Sequence, residues 1–181
     1  MIVSASASAS LIEVLHADHP APDRTDKLNL YGQFVGRWEM DASYHLNDGT
    51  IRRSRGEIHF GWVLDGRAIQ DVWIVPARSM QRSDPPEWGD FYGTTIRVYD
   101  PRIDAWQILW IDPLTQVYRR MTGRARADEI VQEGEDESGA PVRWSFTEIR
   151  RDSFRWLADR SPDRGASWQL QVEFLARRIA G

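Results

Sequence analysis

From Trp38 onward the chain alternates apolar and polar residues in short runs, and turn-forming residues separate one run from the next. Trp38, Met40, Ala42 and Tyr44 alternate with Glu39, Asp41 and Ser43, the period-two pattern of a strand with two unlike faces. Asn47-Asp48-Gly49 follows, and Asp and Gly tolerate the positive φ of a tight turn. Thr50 to Val63 reads as the return strand, Leu64 to Arg67 as a turn and Ala68 to Val75 as the next strand. Further strands are expected at Gly93 to Tyr99, Ala105 to Ile111, Val117 to Gly123, Ala127 to Glu133, Val142 to Arg150, Phe154 to Arg160 and Ser167 to Arg178. About ten strands joined by short loops, with no crossover-length helix between them, predict an all-β fold: a single antiparallel up-and-down barrel.

Upstream, Met1 to Ala9 alternate Ser and Ala and read as a flexible lead-in. Ser10-Leu11-Ile12-Glu13 fits a capping box, so a short helix through about Leu15 is expected, ended by His19-Pro20. Leu28, Tyr31, Phe34 and Val35 have helical spacing, and a brief helix there would cover one mouth of the barrel and stop at Gly36. The expected organisation is a flexible or partly helical extension over residues 1–27 and a barrel domain over 28–181. The longest loop, Pro76 to Asp90, is polar, holds Pro85 and Pro86, and reads as a lid.

Composition removes several classes of function. No Cys is present, which excludes disulfides and thiolate chemistry. A net charge of −4 gives no reason to expect nucleic acid as a partner. No apolar stretch approaches a membrane span and no basic, apolar leader is visible, so a cytoplasmic protein is expected. Phosphate loops, nucleophile elbows and zinc-protease motifs are missing.

Four motifs occur in order: Phe34-Val35-Gly36-Arg37-Trp38, Leu64-Asp65-Gly66-Arg67, Tyr99-Asp100-Pro101-Arg102 and Trp110-Ile111-Asp112. As an ordered set they resemble the bacterial domain of unknown function DUF1579, over roughly Leu30 to Arg178. The resemblance implies a lipocalin-like, calycin-type barrel with a central cavity and no established reaction. Gly-x-Trp is also the opening of other small ligand-holding barrels, with the indole of Trp38 as a floor. Nitrobindin, a haem barrel with the same opening, holds its iron through a His late in the chain. Here the last His is His59, so that ligand is missing and no cofactor is expected.

Candidate site residues follow from the strand faces. His45 and His59 fall far apart along the first hairpin, so no shared metal site is expected. Arg55, Glu57 and His59 share one face of the second strand, and either they face water or His59 enters the lumen as an acid–base group. Asp71 lies on a face with Ile69, Trp73 and Val75, where a buried carboxylate needs a partner. Glu148 shares a face with Trp144 and Phe146. His59, Asp71 and Glu148 are thus the catalytic candidates of an enzyme reading. Candidate ligand-binding residues are Trp38, Tyr44, Trp73, Arg97, Trp110, Asp112, Arg119 and Trp156. Asp112 serves equally as the cap of its Asp-Pro turn, and Arg119-Arg120 equally as part of a solvated outer face. The leading expectation is a lumen that binds a small, largely apolar or aromatic molecule. The alternatives are a cofactor-independent isomerase, cyclase or lyase in that cavity, and a barrel with a filled interior that forms a homodimer through its walls.

Overall fold

The structure, a computed structural model, describes residues 9–180. The lead-in expected at Met1 to Ala9 lies outside the described residues apart from Ala9. Two helices, α1 (Leu11–Leu15) and α2 (Thr25–Gly32), precede the barrel. The strands are β1 (His16–Ala17), β2 (Gly36–His45), β3 (Ile51–Val63), β4 (Ala68–Val75), β5 (Phe91–Asp100), β6 (Ala105–Asp112), β7 (Val117–Arg126), β8 (Glu129–Glu135), β9 (Pro141–Thr147), β10 (Ser153–Arg160) and β11 (Gln169–Arg178). From β2 to β11 every strand pairs antiparallel with its sequence neighbours, and β11 pairs with β2. Among the described residues this is a closed ten-strand up-and-down barrel with no free edge along its wall.

The strand β1 was not visible in the sequence, because two residues carry no period. It pairs His16 with Val63 and Ala17 with Trp62. The β2–β3 ladder stops at Gly36 opposite Phe60, so β1 takes up the end of β3 that β2 leaves open. Just before it, Ser10 caps α1: its hydroxyl accepts from the Glu13 N–H, and the Glu13 carboxylate accepts from the Ser10 N–H.

Helix α2 begins at Thr25 and ends at Gly32, earlier than the expected Leu28 to Val35. Phe34 and Val35 instead form a tightening turn, donating to the carbonyls of Tyr31 and Gly32 at 3.0 and 3.1 Å. This turn aims Tyr31 and Phe34 into one end of the barrel. Tyr31 meets Trp106 edge-on at 4.8 Å, and Phe34 stacks on Phe146 at 4.7 Å. Both rings are buried, and burial of Phe34 contributes about 1.5–3 kcal/mol.

The same end explains Gly36-Arg37-Trp38. Gly36 has φ +129°, and a Cβ there would lie 2.8 Å from Nη1 of Arg178. Arg178 is the β11 residue opposite Trp38, and its guanidinium lies 4.1 Å from the indole centre. It donates to the Val35 and Gln33 carbonyls at 2.7 Å each. Trp38 Nε1 donates to the Phe34 carbonyl at 2.7 Å. The motif therefore joins the first and last barrel strands to the helical plug.

Candidate functional site

Alternation puts the even-numbered side chains of β2, β3, β6 and β8–β11 and the odd-numbered ones of β4, β5 and β7 inside the barrel. Above the plug, at the end away from α2, they surround a cavity of about 540 Å³. The interior is therefore not filled.

Four indoles build the wall: Trp73, Trp110, Trp144 and Trp156. Trp156 lies 5.4 Å from both Trp73 and Trp144 and stacks on Phe174 at 5.0 Å. Trp110 meets Trp144 edge-on at 6.1 Å. Its ring packs against Gly93, where a Cβ would lie 2.4 Å from it.

At the mouth, Glu87 to Asp90 of the long loop border the cavity. The Tyr44 hydroxyl donates to the Gly89 carbonyl at 2.7 Å, and Trp88 meets the Tyr44 ring edge-on at 5.4 Å. Burial, with a smaller contribution from Asp90, pushes the Tyr44 phenol above its ordinary pKa and keeps it a donor.

At the base, Arg97 faces the cavity and is otherwise enclosed. Its Nη1 donates to Asp71 and its Nε to Gln132 Oε1 at 3.3 Å. The other Asp71 oxygen accepts from the Thr95 N–H at 2.9 Å. The guanidinium lies 5.0 Å from the centre of the Tyr31 ring, which ties the cavity base to the plug.

Tyr44, Trp73, Arg97, Trp110, Asp112, Arg119 and Trp156 all border the cavity. Asp112 has two places in this geometry. It lines the cavity and caps its turn, accepting from the Leu114 N–H at 2.9 Å and from Thr115 Oγ1. Arg119 turns inward, over Trp144 at 5.4 Å, and does not join a basic outer patch with Arg120. Trp38 lies beneath the cavity, in the plug, and does not line it.

The three catalytic candidates are not brought together. His59 stands on the outer wall, because Gly56, Ile58 and Phe60 take the inward face of β3. It contacts Glu57 at 3.2 Å and Arg78 at 3.3 Å. Glu148 lies just past the end of β9 with φ +49°, is mostly exposed, and pairs with Arg155 at 3.2 Å. Asp71 is buried below the cavity and committed to Arg97.

Several wall residues were outside the sequence-based set: His45, Trp88, Phe91, Thr95, Thr115, Trp144 and Phe174. Trp144 and Phe174 carry the inward alternation of their strands and were legible on that ground. Trp88 comes from an irregular loop with no period, so nothing local points to it. Among the described residues three buried nitrogens at the cavity have no partner: Trp73 Nε1, His45 Nε2 and Arg119 Nε.

No protein-family model matches the chain, and no curated protein matches it by sequence. Solved structures do match. The crystal structure of Rv2717c from M. tuberculosis is similar with a TM-score of 0.59 at 13% identity, over 89% of this chain and 99% of that one. The structure of the S-type phycobiliprotein lyase CPES from Guillardia theta is similar with the same values, 0.59, 13%, 89% and 99%. Both likenesses are to the barrel as a whole and fit a calycin-like fold. Among the described residues no helix is long and apolar enough to cross a membrane.

Proposed function

We propose that the protein binds a small, largely aromatic organic molecule inside the barrel. The observation that carries this is the cavity of about 540 Å³ walled by Trp73, Trp110, Trp144 and Trp156. That size suits one small organic ligand, and indole walls favour flat, apolar rings. Similarity to the barrel of a phycobiliprotein lyase supports a small-molecule reading. The DUF1579 resemblance, a cytoplasmic location and a homodimer belong to the same proposal.

A neutral fluorescent probe, N-phenyl-1-naphthylamine, tests it. The protein should enhance the probe's emission in a saturable way, and Trp110→Ala should weaken binding roughly tenfold while retaining the far-ultraviolet circular dichroism of a folded barrel. Absence of saturable binding overturns the proposal. Native mass spectrometry of freshly purified protein would identify a retained ligand.

The second reading is a cofactor-independent isomerase, cyclase or lyase in the same cavity, favoured by the lyase likeness. Its acid–base groups would be His45 and Asp112, which border the cavity. His59 and Glu148 stand too far outside to serve.

A further inference from the structure

Hydrogen-bonding capacity around the cavity is one-sided. The acids bordering it are engaged. Asp112 accepts from the backbone N–H groups of Tyr92 and Leu114 and from the Thr115 hydroxyl. Asp90 accepts from the Glu87 N–H at 3.1 Å, and Glu87 accepts from Ser83 Oγ at 2.9 Å and lies 3.5 Å from Arg52. The Tyr44 hydroxyl is spent on Gly89.

Donors, by contrast, are left over. Trp73 is 4% exposed, and its Nε1 has no acceptor among the described residues. Arg119 hydrogen-bonds only through Nη2, to both Glu137 oxygens at 3.1 and 3.2 Å, and its buried Nε has no acceptor among the described residues. A buried N–H without an acceptor loses the hydrogen bonds it would make with water, which is a cost to the empty cavity. A bound molecule carrying acceptors recovers that cost.

The strongest of these donors is charged. The Arg119 side chain is 15% exposed, so its attraction for an anion is weakly screened. It lies over Trp144 at 5.4 Å, so the guanidinium and the aromatic wall are side by side. Its present partner, Glu137, is 55% exposed and sits at the rim. Glu137 is therefore a competitor that an entering anion displaces or shares.

We propose that the cavity selects aromatic carboxylates, with the ring system against Trp110, Trp144 and Trp156 and the carboxylate on Arg119. This deepens, and rests on, the reading of the lumen as a binding site.

Two fluorescent probes with the same ring and chain separate the two ideas: 1-pyrenebutyric acid and 1-pyrenebutanol, titrated at neutral pH. The protein should bind the acid more tightly than the alcohol by roughly tenfold or more, as a charge-assisted hydrogen bond allows. Arg119→Met should abolish that preference, so that acid and alcohol bind with equal affinity. Glu137→Gln, at a rim position outside the packed core, should strengthen binding of the acid several-fold and leave the alcohol unchanged. It decides the matter if Arg119→Met does not fold. Equal binding of acid and alcohol overturns this inference and leaves the binding site standing. So does a Glu137→Gln variant that treats the two probes as the parent does, or an Arg119→Met variant that weakens both alike. Binding of neither probe overturns both readings.

Discussion

Arg97 and Asp71 carry charge where almost no water reaches, with side-chain exposures of 1% and 0%. Such a pair persists where further hydrogen bonds support it, and here Thr95 bonds the second Asp71 oxygen and Gln132 bonds Arg97 Nε. Removing one member strands the other. Arg97→Met should lower the free energy of unfolding by about 3–5 kcal/mol in a urea titration. Adding Asp71→Asn should restore a good part of it, because a neutral amide oxygen still accepts from Thr95. A double variant no more stable than Arg97→Met would assign the loss to packing against Tyr31 and Phe146.

The loop between β4 and β5 is held to the barrel at one place that matters for entry. Tyr44 at the end of β2 reaches Gly89, Trp88 packs on the Tyr44 ring, and Arg52 lies 5.9 Å over Trp88. Tyr44→Phe keeps the ring and removes one neutral hydrogen bond, worth about 0.5–1.5 kcal/mol. Amide exchange across Glu87 to Asp90 should quicken several-fold by mass spectrometry, and bound N-phenyl-1-naphthylamine should leave faster. The thermal midpoint should barely move, since the Tyr44 ring still meets Phe174. Unchanged exchange would show that the aromatic contact alone holds the loop.

At the scale of the molecule, carboxylate–arginine pairs tie loops and turns to the closed wall. Arg78 of the loop hydrogen-bonds Glu57 on β3 and holds its carboxyl down at about 2, against the burial that raises it. Asp136 is raised by burial, but Ser138 and Arg160 outweigh this and leave it below the ordinary range. Arg102 does the same to Asp100. A carboxyl held low in the fold stabilises it fully above its ordinary pKa, and that contribution fades as pH falls toward the lowered value. Stability should therefore decline from about pH 4.5 toward pH 2. In scanning calorimetry Glu57→Gln should be less stable than the parent at pH 7 and converge on it toward pH 2. A constant difference across that range would exclude the Glu57–Arg78 pair as the source.

The alternation that begins at Trp38 was enough to reveal the barrel, because period-two runs broken by Asn, Asp, Gly and Pro leave few other ways to bury the apolar faces. It also named Trp73, Trp110, Trp156, Tyr44, Arg97, Asp112 and Arg119 as candidates for the lumen without deciding which strand faces turn inward. It could not say which face of β3 was the inside, and so it left His59 open. Alternation states that a strand has two sides, while closure of the sheet decides which one meets the lumen. Nor could it foresee partners distant in the chain: Trp38 under Arg178, Arg119 beside Trp144, Trp88 over Tyr44. Those contacts depend on the shear of a closed ladder and the path of an irregular loop. By itself the sequence determined that this chain makes a barrel with a Trp-rich interior. Only the tertiary structure decided that part of that interior is left empty, and that the Trp73 and Arg119 N–H groups beside it are left without acceptors among the described residues, because both depend on how side chains far apart in sequence fill and satisfy one another.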